Sequence, residues 1–167
     1  MKWNKLGLIA LLGLGIAISA CEPANNAAVK SGDGRERLSA NKSYGEFGEF
    51  VVYVNAMTTA GLTPEIAQSY GITRSENTGL INLVVLQKSN DLGQGEPVKA
   101  VVELSAVNLT GQLKSVELRE VEDSQSIYYI GEVSVDDRET INFDFDVRPE
   151  GSNRTLLVRF SHKFYTR

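Results

Sequence analysis

The feature of this sequence that most constrains its fold is a strict two-residue alternation near the C-terminal end. From Thr140 to Arg148, polar and apolar residues take turns without interruption. Successive side chains of a β-strand point to opposite faces of a sheet, so this segment predicts a strand with one buried face and one solvent-exposed face. Such strands are typical of antiparallel sheets. The residues predicted to point inward are Ile141, Phe143, Phe145 and Val147.

Related patterns recur along the chain between clusters of turn residues. The segment 79–88, GLINLVVLQK, is apolar on both faces, which predicts a central strand. We therefore predict an all-β fold, an antiparallel immunoglobulin-like β-sandwich of about seven strands. A meandering sheet or barrel is the alternative, because the last five strands are joined by short turns. The predicted strands lie near 50–54, 79–88, 97–109, 113–121, 126–135, 140–148 and 155–165.

The connection between the first two strands, from Thr58 to Gly79, is long, and long connections are often functional. Thr63 and Pro64 predict the start of a helix and Gly71 its end, so we predict one short helix from Pro64 to Tyr70. We expect this connection to cross between the sheets and close one end of the sandwich with Leu62, Ile66, Tyr70 and Ile72. It also supplies a candidate binding loop, with Glu65, Tyr70, Arg74, Glu76 and Asn77 as its contact residues.

The N-terminus has the build of an export signal. Lys2 and Lys5 precede an uncharged apolar run at 6–18, which is shorter than the roughly 20 residues that span a membrane. Ile18-Ser19-Ala20-Cys21 follows and resembles the lipobox of bacterial lipoproteins, and Cys21 is the only cysteine. The resemblance implies cleavage before Cys21 and acyl chains, such as palmitate, on that residue. Two or more chains give a firm membrane anchor.

These features divide the chain into three parts. Residues 1–20 are a predicted lipoprotein signal peptide, 21–43 the acylated cysteine with a flexible tether, and 44–167 the β-sandwich domain. The residue after Cys21 is Glu22 and not an aspartate, which in lipoproteins favours the outer membrane, facing the periplasm. With 17 basic and 21 acidic residues the chain is mildly acidic, which argues against a nucleic-acid partner.

The sequence contains few residues suited to catalysis or metal binding. His162 is the only histidine and is predicted to be structural, so we expect no catalytic residues, no metal site and no cofactor. Asp136, Asp137 and Glu139 predict a solvated hairpin tip. Tyr128 and Tyr129 alternate, so one of them is expected in the core. We predict that the protein is not an enzyme.

Four segments resemble a known family. NAMTTAGLTPEIAQSYGITRSENTGL at 55–80 is the longest, and the shorter ones are NLTGQ at 108–112, IYYIG at 127–131 and DRET at 137–140. Together they resemble the signature of a family of exported proteins of Gram-negative bacteria, the domain of unknown function DUF4426. The resemblance implies export and one small β-rich domain, with no established activity.

From these observations we expect a non-enzymatic lipoprotein of the bacterial envelope, anchored to the membrane through lipid. It would act as an interaction module that contacts an envelope protein partner from the periplasmic side. A small-ligand or glycan-binding periplasmic protein is the alternative.

Overall fold

The computed structural model describes residues 29–30, 36–38, 42–89 and 95–166. The predicted signal peptide, Cys21 and most of the predicted tether lie outside the described residues. Within them, strands dominate and one α-helix, α1 (Pro64–Ser69), is present. The strands are β1 (Val29–Lys30), β2 (Glu36–Arg37), β3 (Tyr44–Phe47), β4 (Phe50–Thr58), β5 (Thr78–Gln87), β6 (Glu96–Pro97), β7 (Ala100–Asn108), β8 (Leu113–Lys114), β9 (Arg119–Asp123), β10 (Ser126–Ser134), β11 (Thr140–Pro149) and β12 (Leu156–Lys163).

The described strands form two sheets. The first has the order β1-β2-β12-β11-β7-β8, and the second has the order β3-β4-β5-β10-β9, with β6 beside β5. The runs β4-β5-β10-β9 and β12-β11-β7 reproduce the A-B-E-D and G-F-C orders of an immunoglobulin-like sandwich. That prediction is confirmed, and the strands described here do not form the alternative single meandering sheet or barrel. Neighbouring strands are antiparallel except β2 and β12, which are parallel.

Strand β11 confirms the alternation that predicted the fold. Ile141, Phe143, Phe145 and Val147 are each 0% exposed. They pack in one core with inward residues of the second sheet, among them Val52, Val54, Ile81 and Leu83. Each such side chain contributes about 1.5–3 kcal/mol on burial, which makes this layer the main source of stability. The central position predicted for β5 is also confirmed, since it lies between β4 and β10.

Two segments predicted as single strands change sheets midway. The segment 97–109 begins in β6, which pairs with β5, and continues in β7, which pairs with β11. The segment 113–121 begins in β8, beside β7, and ends in β9, beside β10. A Cβ on Gly131 of β10 would lie 2.7 Å from Val116 Cγ1, so the crossing chain approaches β10 very closely. Alternation predicts which face of a sheet a side chain points to. It does not predict which neighbouring strand the backbone forms hydrogen bonds with.

Part of the predicted tether contacts the sandwich. Strand β2 pairs with β12, and the backbone N–H of Leu38 donates to the carbonyl of Arg159 at 2.9 Å. Leu38 is only 4% exposed and belongs to the main core. Ordered contacts of the domain therefore begin before residue 44.

The long connection after β4, residues 59–77, is hereafter the insert. It joins β4 to β5, which are direct neighbours in the second sheet. It therefore does not cross to the first sheet, and the prediction that it closes one end of the sandwich is wrong. Instead it folds over the outer face of the second sheet, where its residue Ile72 packs against Leu80 and Ile130. Ile66, expected inside, is 44% exposed.

The helix within the insert forms as predicted, ending at Ser69. Thr63 caps it, because its hydroxyl oxygen accepts a hydrogen bond from the Ile66 N–H at 3.3 Å. Gly71 follows the helix with a φ of 64°, a conformation that favours glycine. No helix within the residues described is long and apolar enough to span a bilayer.

Candidate functional site

The outer face of the second sheet carries an unusual mixture of side chains. Because Val52, Val54, Ile81 and Leu83 point into the core, the residues between them point outward. Three of the outward rows, each a directly opposite pair on β4 and β5, form the part of this face that concerns the site. These rows are Tyr53 with Val84, Asn55 with Asn82, and Met57 with Leu80.

The insert covers part of this face through a second, smaller apolar cluster. Its buried members are Ile72 of the insert, Leu80 of β5 and Ile130 of β10. Leu62, Tyr70, Val121 and Tyr128 pack around them. This cluster is separate from the sandwich core, so the sheet is apolar on both faces near β5. That double burial is the reason why GLINLVVLQK has apolar residues on both faces, with Asn82 as the polar exception in its interior.

The base of the insert is closed by Thr59, which is 0% exposed. Its hydroxyl oxygen accepts from the Ser75 N–H at 2.8 Å, and its hydroxyl donates to the Thr73 carbonyl at 2.9 Å. Close by, the Ala60 N–H donates to the Ser75 carbonyl at 3.1 Å. The two ends of the insert are therefore held together by backbone and side-chain bonds.

The far end of the insert is bonded to strand β9 through Tyr70. The Tyr70 hydroxyl donates to Asp123 Oδ2 at 3.1 Å, and the Arg119 guanidinium donates to the Tyr70 carbonyl. Burial, followed by the neighbouring Asp123 carboxylate, raises the pKa of the Tyr70 hydroxyl above its usual value. The phenol therefore stays protonated and keeps donating at neutral pH. With both ends bonded, the insert forms a fixed roof.

Beneath this roof lies a cavity of about 240 Å³. Within it, Asn82 is exceptional, since its Oδ1 atom is excluded from solvent and has no hydrogen-bond partner among the residues described. Buried polar atoms are paired in the great majority of cases, so this acceptor needs an explanation. The cavity is lined by Asn55, Met57, Leu62, Ile66, Tyr70, Ile72, Leu80, Asn82, Tyr128 and Ile130.

Two wider concavities flank the cavity on the same face. One, of about 420 Å³, shares Ile72, Leu80 and Ile130 with it. The other, of about 970 Å³, shares Tyr128 and extends over Tyr53. Tyr53, Met57 and Ile66 are 41%, 38% and 44% exposed. Apolar side chains grouped around a concavity mark a contact surface more often than scattered ones do.

Of the five predicted binding residues, only Tyr70 lines the cavity. Glu65, Arg74, Glu76 and Asn77 are exposed on the insert. Arg74 Nη2 donates to the Ala60 carbonyl at 2.7 Å, and the Asn77 carbonyl accepts from the Val135 N–H at 3.0 Å. These two residues therefore also shape the insert, and the role of all five in binding stays a prediction.

The pKa of the Glu65 carboxyl lies below its ordinary value. It accepts hydrogen bonds from its own backbone N–H and from the Thr63 hydroxyl, both of which favour the charged form. Glu65 therefore places a negative charge beside the exposed Ile66 at neutral pH.

Sequence reasoning missed Asn55, Met57 and Asn82. A usable signal was present, because Asn82 is a polar residue inside a strand that is otherwise apolar on both faces. A polar group in such a position needs a partner, and its presence points to a site.

The other residues singled out from the sequence take structural positions. His162 lies between Phe160 and Phe164, with ring centroids 6.1 and 4.7 Å away, and burial lowers its pKa. His162 is partly buried there, which is consistent with the predicted structural role, and that role stays a prediction. Tyr129 is 5% exposed, as expected for one member of the tyrosine pair. Its hydroxyl accepts from the Ala100 N–H at 2.7 Å, which ties the second sheet to the first.

Glu139 corrects the prediction of a solvated carboxylate cluster. Asp136 and Asp137 are exposed, but the Glu139 side chain is only 9% exposed. It accepts from Asn108 Nδ2 at 2.9 Å and pairs with Lys114 at 2.9 Å. Burial acts to raise the Glu139 pKa, but the bonds from Asn108, Lys114 and the Asp136 N–H outweigh it and lower that pKa.

The contacts of Glu139 with Asn108 and Lys114 also give two of the short family motifs a structural role. Asn108 belongs to NLTGQ and Glu139 to DRET, and their bond joins the two turns at one end of the sandwich. Among the residues described, no three histidine, cysteine or acidic side chains are grouped so as to hold a metal ion.

Comparison with known proteins places this domain in a family. The family model described as "Domain of unknown function (DUF4426)" matches residues 44–167. A DUF4426 family protein from Pseudomonas aeruginosa, for which a crystal structure exists, has 28% sequence identity to this chain. The two structures match with a TM-score of 0.64, and the match covers 78% of this chain and 99% of that one. No curated protein matches.

Two further solved structures share the fold at low identity. FetP of uropathogenic E. coli strain F11, expressed in the periplasm, is 10% identical with a TM-score of 0.54, covering 75% of this chain and 95% of FetP. A copper-bound variant of FetP is also 10% identical, with a TM-score of 0.51, covering 75% and 96%. Since the family model matches residues 44–167, well over half of the chain, the chain belongs to the DUF4426 family.

Proposed function

We propose that this protein is a non-enzymatic binding module of the bacterial envelope, which captures a protein partner on the outer face of the second sheet. The single observation that carries the proposal is the apolar cavity of about 240 Å³ beneath the insert. Its roof is held at both ends by hydrogen bonds, so the insert does not have to become ordered when a partner binds. A site that is already formed avoids the ordering cost that weakens many interfaces.

The exposed apolar residues around the cavity support a protein partner. Met57 and Ile66 form an apolar rim. The flanking concavities, one of which is lined by the exposed Tyr53, extend the contact surface along the sheet. Small-molecule sites enclose about 300–1,000 Å³. The cavity beneath the insert, at about 240 Å³, is smaller than that and opens to solvent, which favours a single anchoring group of a larger partner over a free ligand.

We further propose that residues 1–20 direct export and that acylation of Cys21 anchors the protein, with the domain facing the periplasm. The positive N-terminal residues, the apolar run and the small residues before the only cysteine support this. Mass spectrometry of the native N-terminus is the test. Acyl chains on Cys21 are expected in the wild type and are expected to be lost in Cys21→Ser. An unmodified Cys21 behind an intact initiator methionine would end the proposal.

Photocrosslinking in cells tests partner capture. A photoreactive amino acid at Ile66, on the rim, is compared with one at Val101, which is 59% exposed but belongs to β7 of the first sheet. We expect a discrete crosslinked product from position 66 and none from position 101. Equal products from both positions would show that capture does not involve the outer face of the second sheet.

The captured protein is then purified and titrated against matched variants. Met57→Ser removes an apolar rim side chain, and we expect binding to weaken about tenfold, the usual scale for a substantial interface contact. Val101→Ser is the control and should leave the affinity unchanged. Glu65→Ala tests the predicted loop, and weaker binding with an unchanged melting temperature would assign it a contact role. If Met57→Ser binds as well as the wild type, the rim is not the interface.

A further inference from the structure

We infer that the cavity beneath the insert receives one aromatic side chain that carries a hydrogen-bond donor, a tyrosine or tryptophan of the partner. This inference rests on the proposed function. Asn82 Oδ1, unpaired and shielded from solvent, would accept from the phenol O–H or indole N–H.

The size of the cavity limits the group that it admits. An apolar cavity of about 150 Å³ is large enough to bind benzene. The present one, of about 240 Å³, therefore accommodates a single ring system and is too small for a folded element. An aromatic ring also matches its walls, because Leu62, Ile72 and Ile130 are aliphatic and Tyr128 adds an aromatic surface.

The unpaired acceptor selects among aromatic groups. Phenylalanine would fill the space but leave Asn82 Oδ1 without a partner, whereas tyrosine and tryptophan bring an apolar body with one donor. A site with a buried polar group discriminates strongly against analogues that lack the matching donor. Lysine and arginine also carry donors, but they would place a charge against the aliphatic walls.

Asn55 offers a matched control for Asn82. The two residues lie directly opposite each other on β4 and β5, and both line the cavity. Asn55 is exposed, whereas Asn82 is partly buried and carries the shielded acceptor. Asn82→Leu removes this acceptor from the cavity wall, and Asn55→Leu makes the same chemical change beside it.

The test uses two soluble probes of nearly equal shape, indole, which has an N–H donor, and benzofuran, which has none. Each is titrated into the purified full-length protein while backbone amide shifts are followed by NMR. We expect indole to bind about three- to tenfold more tightly than benzofuran, the range of one net hydrogen bond. The shifting amides should lie on the cavity walls, in β4, β5, β10 and the insert.

The variants decide the role of Asn82. Asn82→Leu should bind both probes equally, and Asn55→Leu should keep the preference for indole. Asn82→Leu exchanges an unpaired acceptor for an apolar group, so it is expected to fold, which its thermal unfolding verifies. Equal binding of the two probes by the wild type, or a preference that survives in Asn82→Leu, would overturn the inference.

The outcomes separate this inference from the proposed function. If crosslinking captures a partner but indole shows no preference over benzofuran, the module stands and the aromatic anchor is wrong. If indole is preferred and no partner is captured, the aromatic site stands and a small aromatic ligand replaces the protein partner.

Discussion

Replacing Thr59 by valine should release the base of the insert while keeping the shape of the side chain. Thr59 is 0% exposed, and its hydroxyl bonds the Ser75 N–H at 2.8 Å and the Thr73 carbonyl at 2.9 Å. Valine fills the same space without the hydroxyl. The Ser75 donor and the Thr73 acceptor then lose their partner in a site that water does not reach freely.

The expected loss of stability follows from those two bonds. A hydrogen bond contributes about 1 kcal/mol net, so losing both costs about 2 kcal/mol of unfolding free energy. Thr59→Ser is the matched control, because it keeps the hydroxyl and removes one methyl group, at about 0.8 kcal/mol. For a domain of this size, about 4 °C of melting temperature corresponds to 1 kcal/mol.

Urea denaturation and amide hydrogen exchange together measure the effect. Thr59→Val should lower the unfolding free energy more than twice as much as Thr59→Ser. It should also remove the exchange protection of the Ser75 amide, which Thr59→Ser retains. If serine costs as much as valine, or if the Ser75 amide stays protected in Thr59→Val, the hydroxyl does not hold the insert.

Three further changes test the sandwich. Gly131→Ala places a Cβ 2.7 Å from Val116 and should cost about 1–3 kcal/mol, whereas Gly61→Ala, whose nearest contact is at 3.9 Å, should change the melting temperature little. Tyr129→Phe leaves the first backbone N–H of β7 without its acceptor and should cost about 1–3 kcal/mol in urea denaturation. The lowered pKa of Glu139 means that its stabilisation is present above its unfolded value, about 4.3, and is lost as pH falls through the folded value. Stability measured between about pH 5 and 2 should therefore fall less steeply in Glu139→Gln than in the wild type, and equal slopes would contradict the network.

The local parts of this fold could be read from the sequence. The alternation of β11 identified its buried face, because the period of a strand is a property of the backbone alone. Thr63, Pro64 and Gly71 identified the short helix, because capping and positive φ depend on a few adjacent residues. The number and spacing of the strands also predicted an immunoglobulin-like sandwich, whereas the order of the strands within each sheet came only from the structure.

The candidate site could not be read in the same way. Asn82 was visible as a polar residue in an apolar strand, but its opposition to Asn55 depends on the pairing of β4 with β5. Likewise, the sequence predicted Glu139 to be a solvated carboxylate, because its contacts with Asn108 and Lys114 form only in the folded protein. Both errors concern partners that are distant in the sequence.

The sequence by itself determined which segments are extended, which face of β11 is buried and where the helix lies, because each depends on a short local pattern. The export signal rests on the same kind of local pattern and stays a prediction. Only the tertiary structure decided that the insert covers part of the outer face of its own sheet and forms the roof of a cavity there. Periodicity specifies which way a side chain points. Which segment covers that side chain depends on packing between parts of the chain that are distant in the sequence, because each apolar surface can be buried against several alternatives.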